Sequence, residues 1–125
     1  MGASTQITSK KSVNKAQGIF FDYTYTDTTT KLGSDVFQIP NECTAVNLQV
    51  GAQATAQTIA IQGSNDGVNF ATIAGATKAS ASGVTGVAVF ARNTGTGMIG
   101  YFPYYRLYND TGTANVSASL SFTLA

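Results

Sequence analysis

Apolar and polar residues alternate with a period of two in several short stretches of this chain, the spacing of half-buried β-strands. Ile19, Phe21, Tyr23 and Tyr25 share one face of residues 17–25; Val46, Leu48 and Val50 do so over 44–50, and Ile59 and Ile61 over 57–62. Near the C-terminus Val116, Ala118, Leu120, Phe122 and Leu124 alternate with Ser117, Ser119, Ser121 and Thr123, so one face is apolar and the other carries small hydroxyls. Shorter runs predict further strands at 35–39, stopped by Pro40, and at 68–73, 87–92 and 104–108. Between them lie turn signals: Gly63-Ser64-Asn65-Asp66-Gly67, Asn93-Thr94-Gly95-Thr96-Gly97 and Asn109-Asp110-Thr111-Gly112-Thr113. Asn, Asp and Gly tolerate the positive φ values of tight turns, so the first of these predicts a hairpin. Residues 74–86, rich in Gly, Ala, Ser and Thr, read as a flexible loop. About eight short strands and no helical period predict an antiparallel β-sandwich or jelly roll. Residues 1–16 are polar and show no period, so we expect a flexible N-terminal arm ahead of a single domain over 17–125.

Composition narrows the chemistry. The 125 residues include seven basic and six acidic side chains, for a net charge of +1. That balance argues against direct nucleic-acid or acidic-membrane binding. There is no histidine, which removes Ser-His and Cys-His relays, HExxH zinc sites and an imidazole acid or base. Cys43 is the single cysteine, so no intrachain disulfide or cysteine-built zinc site is available. The stretch Gly95-Thr96-Gly97-Met98-Ile99-Gly100 matches G-x-G-x-x-G, but it leads into Tyr101-Phe102-Pro103 rather than a helix, so it reads as a turn. Of the six carboxylates, Asp66 and Asp110 fall in turns, where their side chains cap backbone N–H groups. We therefore expect no enzymatic activity, no cofactor and no bound metal. No apolar run reaches the length of a secretory h-region or a spanning helix, so synthesis in the cytoplasm without membrane insertion is expected.

Two features suggest a contact surface. Alternation puts Tyr104, Arg106 and Tyr108 on one face and Tyr105 and Leu107 on the other. Tyr and Arg are enriched at interfaces because they offer large area, few rotors and a planar donor fork. Exposed rings also stack on sugars. The second feature is Lys10, Lys11 and Lys15 on the polar arm, which would suit docking on an acidic partner surface.

The run Ile59-Ala60-Ile61-Gln62-Gly63-Ser64-Asn65-Asp66-Gly67-Val68-Asn69-Phe70 resembles the GSxDGxxF hairpin of discoidin-like β-sandwich modules, and Tyr104-Tyr105-Arg106-Leu107-Tyr108 echoes their later Tyr-Arg strand. The same pair of features is similar to small β-sandwich virion proteins of tailed bacteriophages, including capsid decoration (cement) proteins. The likeness spans roughly residues 44–124. This chain departs from the secreted discoidin pattern in lacking Trp and a cysteine pair. The resemblance to phage proteins implies a virion structural subunit, made in the host cytoplasm, that binds across junctions of the major capsid protein. It implies self-association as a homodimer or homotrimer too, since closed symmetry is the rule for such assemblies. Lys10, Lys11, Lys15, Tyr104, Arg106 and Tyr108 would then lie at the partner interface. The alternative is a carbohydrate- or receptor-binding module of a phage tail or cell surface, with Tyr104 and Tyr108 as stacking platforms.

Overall fold

Strand-forming stretches separated by turn residues assemble into two packed layers. A computed structural model describes residues 4–9, 16–25, 32–52, 55–80 and 82–124, with the backbone alone at 4–9, 16–25 and 124. The strands are β1 (Ser4–Ser9), β2 (Ala16–Tyr25), β3 (Cys43–Val50), β4 (Thr58–Ser64), β5 (Ala71–Ala79), β6 (Gly86–Ala91), β7 (Tyr104–Asn109) and β8 (Val116–Leu124). One sheet has the order β1-β2-β8-β3-β6 and the other β5-β4-β7, with every pairing antiparallel. No helix occurs among the described residues. The fold is an all-β sandwich, as the alternation predicts.

The apolar face of each layer turns inward. Val46, Leu48 and Val50 of β3 and Leu120 and Phe122 of β8 meet Ile59 and Ile61 of β4 and Tyr105 and Leu107 of β7, all of them buried. The hydroxyl face of β8 points outward, where Ser121 and Thr123 accept hydrogen bonds from the Asn47 side chain at 3.2 and 3.0 Å. Where side chains are described, the facing layers are β6-β3-β8 and β5-β4-β7, so the sandwich proper has six strands rather than about eight. β2 and β1 continue the first layer beyond β8 through backbone pairing.

Three expectations change, and one falls outside the described residues. Ser4–Ser9, expected within a polar arm, form β1 in register with β2; ladder bonds use backbone groups, so strand pairing needs no apolar period. Lys10, Lys11 and Lys15 lie outside the described residues. Residues 35–39 are no strand: their backbone pairs with β7 only at the isolated bridge of Phe37 with Tyr105, beside a second bridge at Gly33. The segment expected as a loop over 74–86 instead continues β5 to Ala79. Its alternation is hidden by a bulge, because Gln62 pairs with Thr72 and Ala60 with Thr77, leaving Ile61 opposite residues 73–76. A bulge resets the side-chain phase, which is why the period-two pattern fails there.

The predicted hairpin forms between β4 and β5. Ser64 and Asp66 close it: the Ser64 hydroxyl donates to Asp66 Oδ1 at 2.8 Å and accepts the Gly67 N–H at 3.0 Å. Asp66 Oδ1 also accepts the N–H groups of Val68 and Asn69, and Oδ2 accepts the Asn69 side-chain amide, each at 2.8 Å. The Asn69 and Val68 N–H groups, then the Asn69 and Ser64 side chains, hold the Asp66 carboxyl well below the usual carboxylate range. A depressed folded-state pKa contributes stability that is fully present above the unfolded pKa, about 3.9, and is lost as pH falls toward the folded one. Asp66→Asn should therefore flatten the acid limb of the stability curve below about pH 4, read by urea unfolding at a series of pH values. In the core, Leu120→Ala should lower unfolding free energy by about 2–5 kcal/mol, since a fully buried Leu loses transfer energy and leaves a cavity; equilibrium denaturation measures it.

Candidate binding surface

The connection from β6 to β7 is built around a buried cation. Arg92 follows directly on β6 and is only 2% exposed. Its Nε donates to the Gly100 carbonyl, and Nη1 donates to the carbonyls of Pro40 at 2.9 Å and Cys43 at 3.2 Å. The Tyr101 ring covers the guanidinium, with its centre 4.2 Å from Cζ. Backbone bonds from Ile99 N–H to Ala91 O and from Gly100 N–H to Arg92 O fold the loop back on the strand end. Tyr105, buried on the inner face of β7, completes the arrangement. Its hydroxyl lies 3.0 and 2.8 Å from the Ile99 and Gly100 carbonyls, to which it donates, and it accepts the Phe102 N–H at 2.9 Å. The same ring packs edge-on against Phe102 at 6.0 Å and stacks on Phe37 at 6.2 Å.

This network holds apolar side chains out to solvent. Met98 is 50% exposed, Tyr101 57% and Phe102 37%. Beside them opens an apolar cleft of about 580 Å³ lined by Ile73, Ala74, Gly75, Gly97, Met98 and Phe102, among others. The β5 bulge forms one wall and the glycine loop the other. Gly75 and Gly97 both have φ near +78°, and a Cβ on Gly97 would sit 2.7 Å from the Gly75 carbonyl oxygen. Only glycine satisfies both the backbone conformation and that approach. The G-x-G-x-x-G stretch is thus a turn, as expected, and its work is to bring backbone against backbone at the cleft.

Tyr104, Arg106 and Tyr108 lie together, half-buried, on the outer face of β7, while Tyr105, Leu107 and Asn109 point inward. Arg106 Nε donates to Gln62 Oε1 at 2.6 Å, and its guanidinium lies 4.7 Å from the Phe70 ring centre and 5.3 Å from that of Tyr108. The Tyr104 ring packs beneath Gly67 of the hairpin turn. Arg106 and its neighbours cover β4, whose Gln62 is buried and donates from its side-chain amide to Thr72 Oγ1 at 3.2 Å. This face is an aromatic and amide surface stiffened from within, with its rings half exposed.

Cys43 is buried. Its thiol donates to the Ala45 carbonyl at 3.0 Å, and burial pushes its pKa up, so it is an unreactive packing group. Among the described residues no three His, Cys, Asp or Glu side chains gather as metal ligands, and no helix is long and apolar enough to cross a membrane.

Met98, Phe102 and Arg92 were not singled out by the sequence. The available signal was three glycines within six residues followed by aromatics, which marks a constrained turn presenting large side chains. No protein-family model matches the chain, and no curated protein matches it. A solved structure similar in overall shape is the xylan-binding domain from CBM 22, formally the x6b domain, with a TM-score of 0.48 and 8% identity over 99% of this chain and 85% of that one.

Tyr105→Phe should cost about 1–2 kcal/mol, since the ring stays while the Phe102 N–H and two carbonyls lose a partner. Hydrogen exchange at Ile99, Gly100 and Phe102 should quicken, while β3 amides lose only the global increment. Uniform quickening across β3 and the loop would contradict a local latch.

Proposed function

We propose that this chain is a non-catalytic attachment protein of a phage virion, a capsid decoration protein that seats on the major capsid protein and stabilises the shell. One observation carries the proposal. Met98, Tyr101 and Phe102 are large apolar side chains held outward by a loop that Arg92 and Tyr105 lock in place. A preordered apolar anchor loses little conformational entropy on docking, so its burial converts efficiently into affinity. The surrounding surface is rich in small uncharged side chains, which lets desolvation rather than charge steering dominate the contact. The resemblance of the Ile59–Phe70 hairpin and the Tyr-Arg strand to tailed-phage virion proteins suggests the partner class.

A second reading is favoured by the outer face of β7. Tyr104, Arg106 and Tyr108, with Phe70 and Gln62, offer half-exposed rings and amides of the kind that bind a glycan on a cell surface or tail. Thermal stabilisation by one member of a glycan panel, abolished by Tyr108→Ala, would replace the shell reading with this one.

The shell reading is tested on particles lacking the protein, to which purified chain is added back. Met98→Asp should weaken particle binding by about 30-fold, the effect of losing an interface anchor worth about 2 kcal/mol, with an unchanged melting temperature. Tyr101→Ala should weaken it similarly. Undiminished occupancy by both variants, or no binding of the natural chain, overturns the attachment reading.

A further inference from the structure

Three sheet edges have described side chains, and the fold treats them differently. The free edge of β7 is covered by residues 32–37: Ser34 N–H bonds to Leu107 O, Phe37 and Tyr105 exchange both backbone bonds, and Asn109 N–H bonds to Leu32 O, at 2.8–3.0 Å. The free edge of β5 is broken by the bulge at 73–76 and carries Lys78. Bulges and lysines are the usual devices that stop an edge from pairing. β6 is the exception. Gly86-Val87-Ala88-Val89-Phe90-Ala91 holds no charge and no proline, and it pairs with β3 on one side only.

The direction of its free groups follows from two bonds. Arg92 N–H donates to Thr44 O on the β3 side, and Ile99 N–H reaches Ala91 O from the opposite side. Backbone groups alternate along a strand, so Gly86, Ala88 and Phe90 face β3, whereas Val87, Val89 and Ala91 face the open edge. The 99–100 loop takes Ala91, and among the described residues no backbone bond outside the ladders reaches Val87 or Val89. Their side chains lie on the outer face of the sheet and are 65% and 68% exposed.

We propose that β6 is a self-association edge: a second copy of this chain pairs with it antiparallel about a two-fold axis at Ala88, joining two sandwiches into one continuous sheet. The edge is self-complementary. With the axis at Ala88, Val87 of one copy faces Val89 of the other, both with outward backbone groups, and each such pair exchanges two N–H···O bonds. The same register sets the valines of the two copies side by side on the outer face, a favourable β-branched cross-strand contact. No charge on β6 meets its symmetry mate, so pairing brings no like-charge repulsion. The edge is only six residues long, and small interfaces are weak, so the expected dimer is concentration-dependent. This inference goes beyond the attachment reading and does not need it.

The test uses the pure chain with no particle present. Sedimentation velocity from micromolar to millimolar concentration should show the mass rise from 12.9 kDa toward twice that value. Hydrogen exchange at the high concentration should slow at the Val87 and Val89 amides and leave Ala88 and Phe90, already bonded to β3, unchanged. Val89→Lys should weaken association by at least about tenfold, because the charge appears twice across the axis; Val68→Lys, at an exposed turn position, should leave it unaltered. A monomer at every concentration overturns the proposal, as does a dimer that survives Val89→Lys or lacks the alternating protection. Protection of Val87 and Val89 only after addition of another protein also overturns it, and assigns the edge to a foreign strand. Failure here leaves the particle-binding experiment to be judged by itself.

Discussion

A guanidinium taken out of water has to find acceptors, and in this protein the acceptors are backbone carbonyls of two loops and of the first residue of β3. Arg92 binds Gly100 on one side and Pro40 and Cys43 on the other, and Tyr101 lies over its face. Arg suits the role because its planar fork donates in several fixed directions at once. Desolvation of a cation costs several kcal/mol, so the geometry tolerates little play: a loop that moved away would leave the charge buried and unpaired. The constraint works in both directions. The guanidinium adds a donor to each of these carbonyls, and the loop from β6 to β7 becomes an extension of the sandwich.

Everything of functional interest at this end of the molecule follows from that anchoring. Tyr105 ties the core to the same loop, since its ring is packed between Phe37 and Phe102 while its hydroxyl binds the loop backbone. The opposite end has a neutral counterpart. Gln57, also buried, donates to Ala56 O and Thr113 Oγ1, and accepts from the Asn109 side chain and from the Thr113 and Ala114 N–H groups. Asn109 in turn caps Thr111 and Gly112. Buried polar groups at both ends are thus paired, which selects one loop arrangement over others of similar apolar burial.

Among the described residues the fold presents several surfaces suited to contact. The apolar loop, the aromatic face of β7 and the bare edge of β6 are three distinct kinds of contact: side-chain insertion, stacking and strand addition. On the proposed attachment role, the shell would take one of these surfaces and a second copy another.

The local physics was legible early. Period-two alternation located β3, β4, β7 and β8, and the Asn-Asp-Gly turn located the hairpin, because side-chain direction along a strand and positive φ at a turn are properties of a few adjacent residues. The alternation also placed Tyr104, Arg106 and Tyr108 together on one face. It could not find the rest of β5, where a bulge breaks the period, or β1, whose pairing depends on backbone groups that every residue carries. Nor could it distinguish Arg92 from any other arginine, since its acceptors at Pro40 and Gly100 come from loops far from each other in sequence. The chain by itself determined strand, turn and inward face. Which arginine is buried, which apolar side chains remain outside and which edge stays open were decided by tertiary structure alone, because each depends on what segments distant in sequence place beside it.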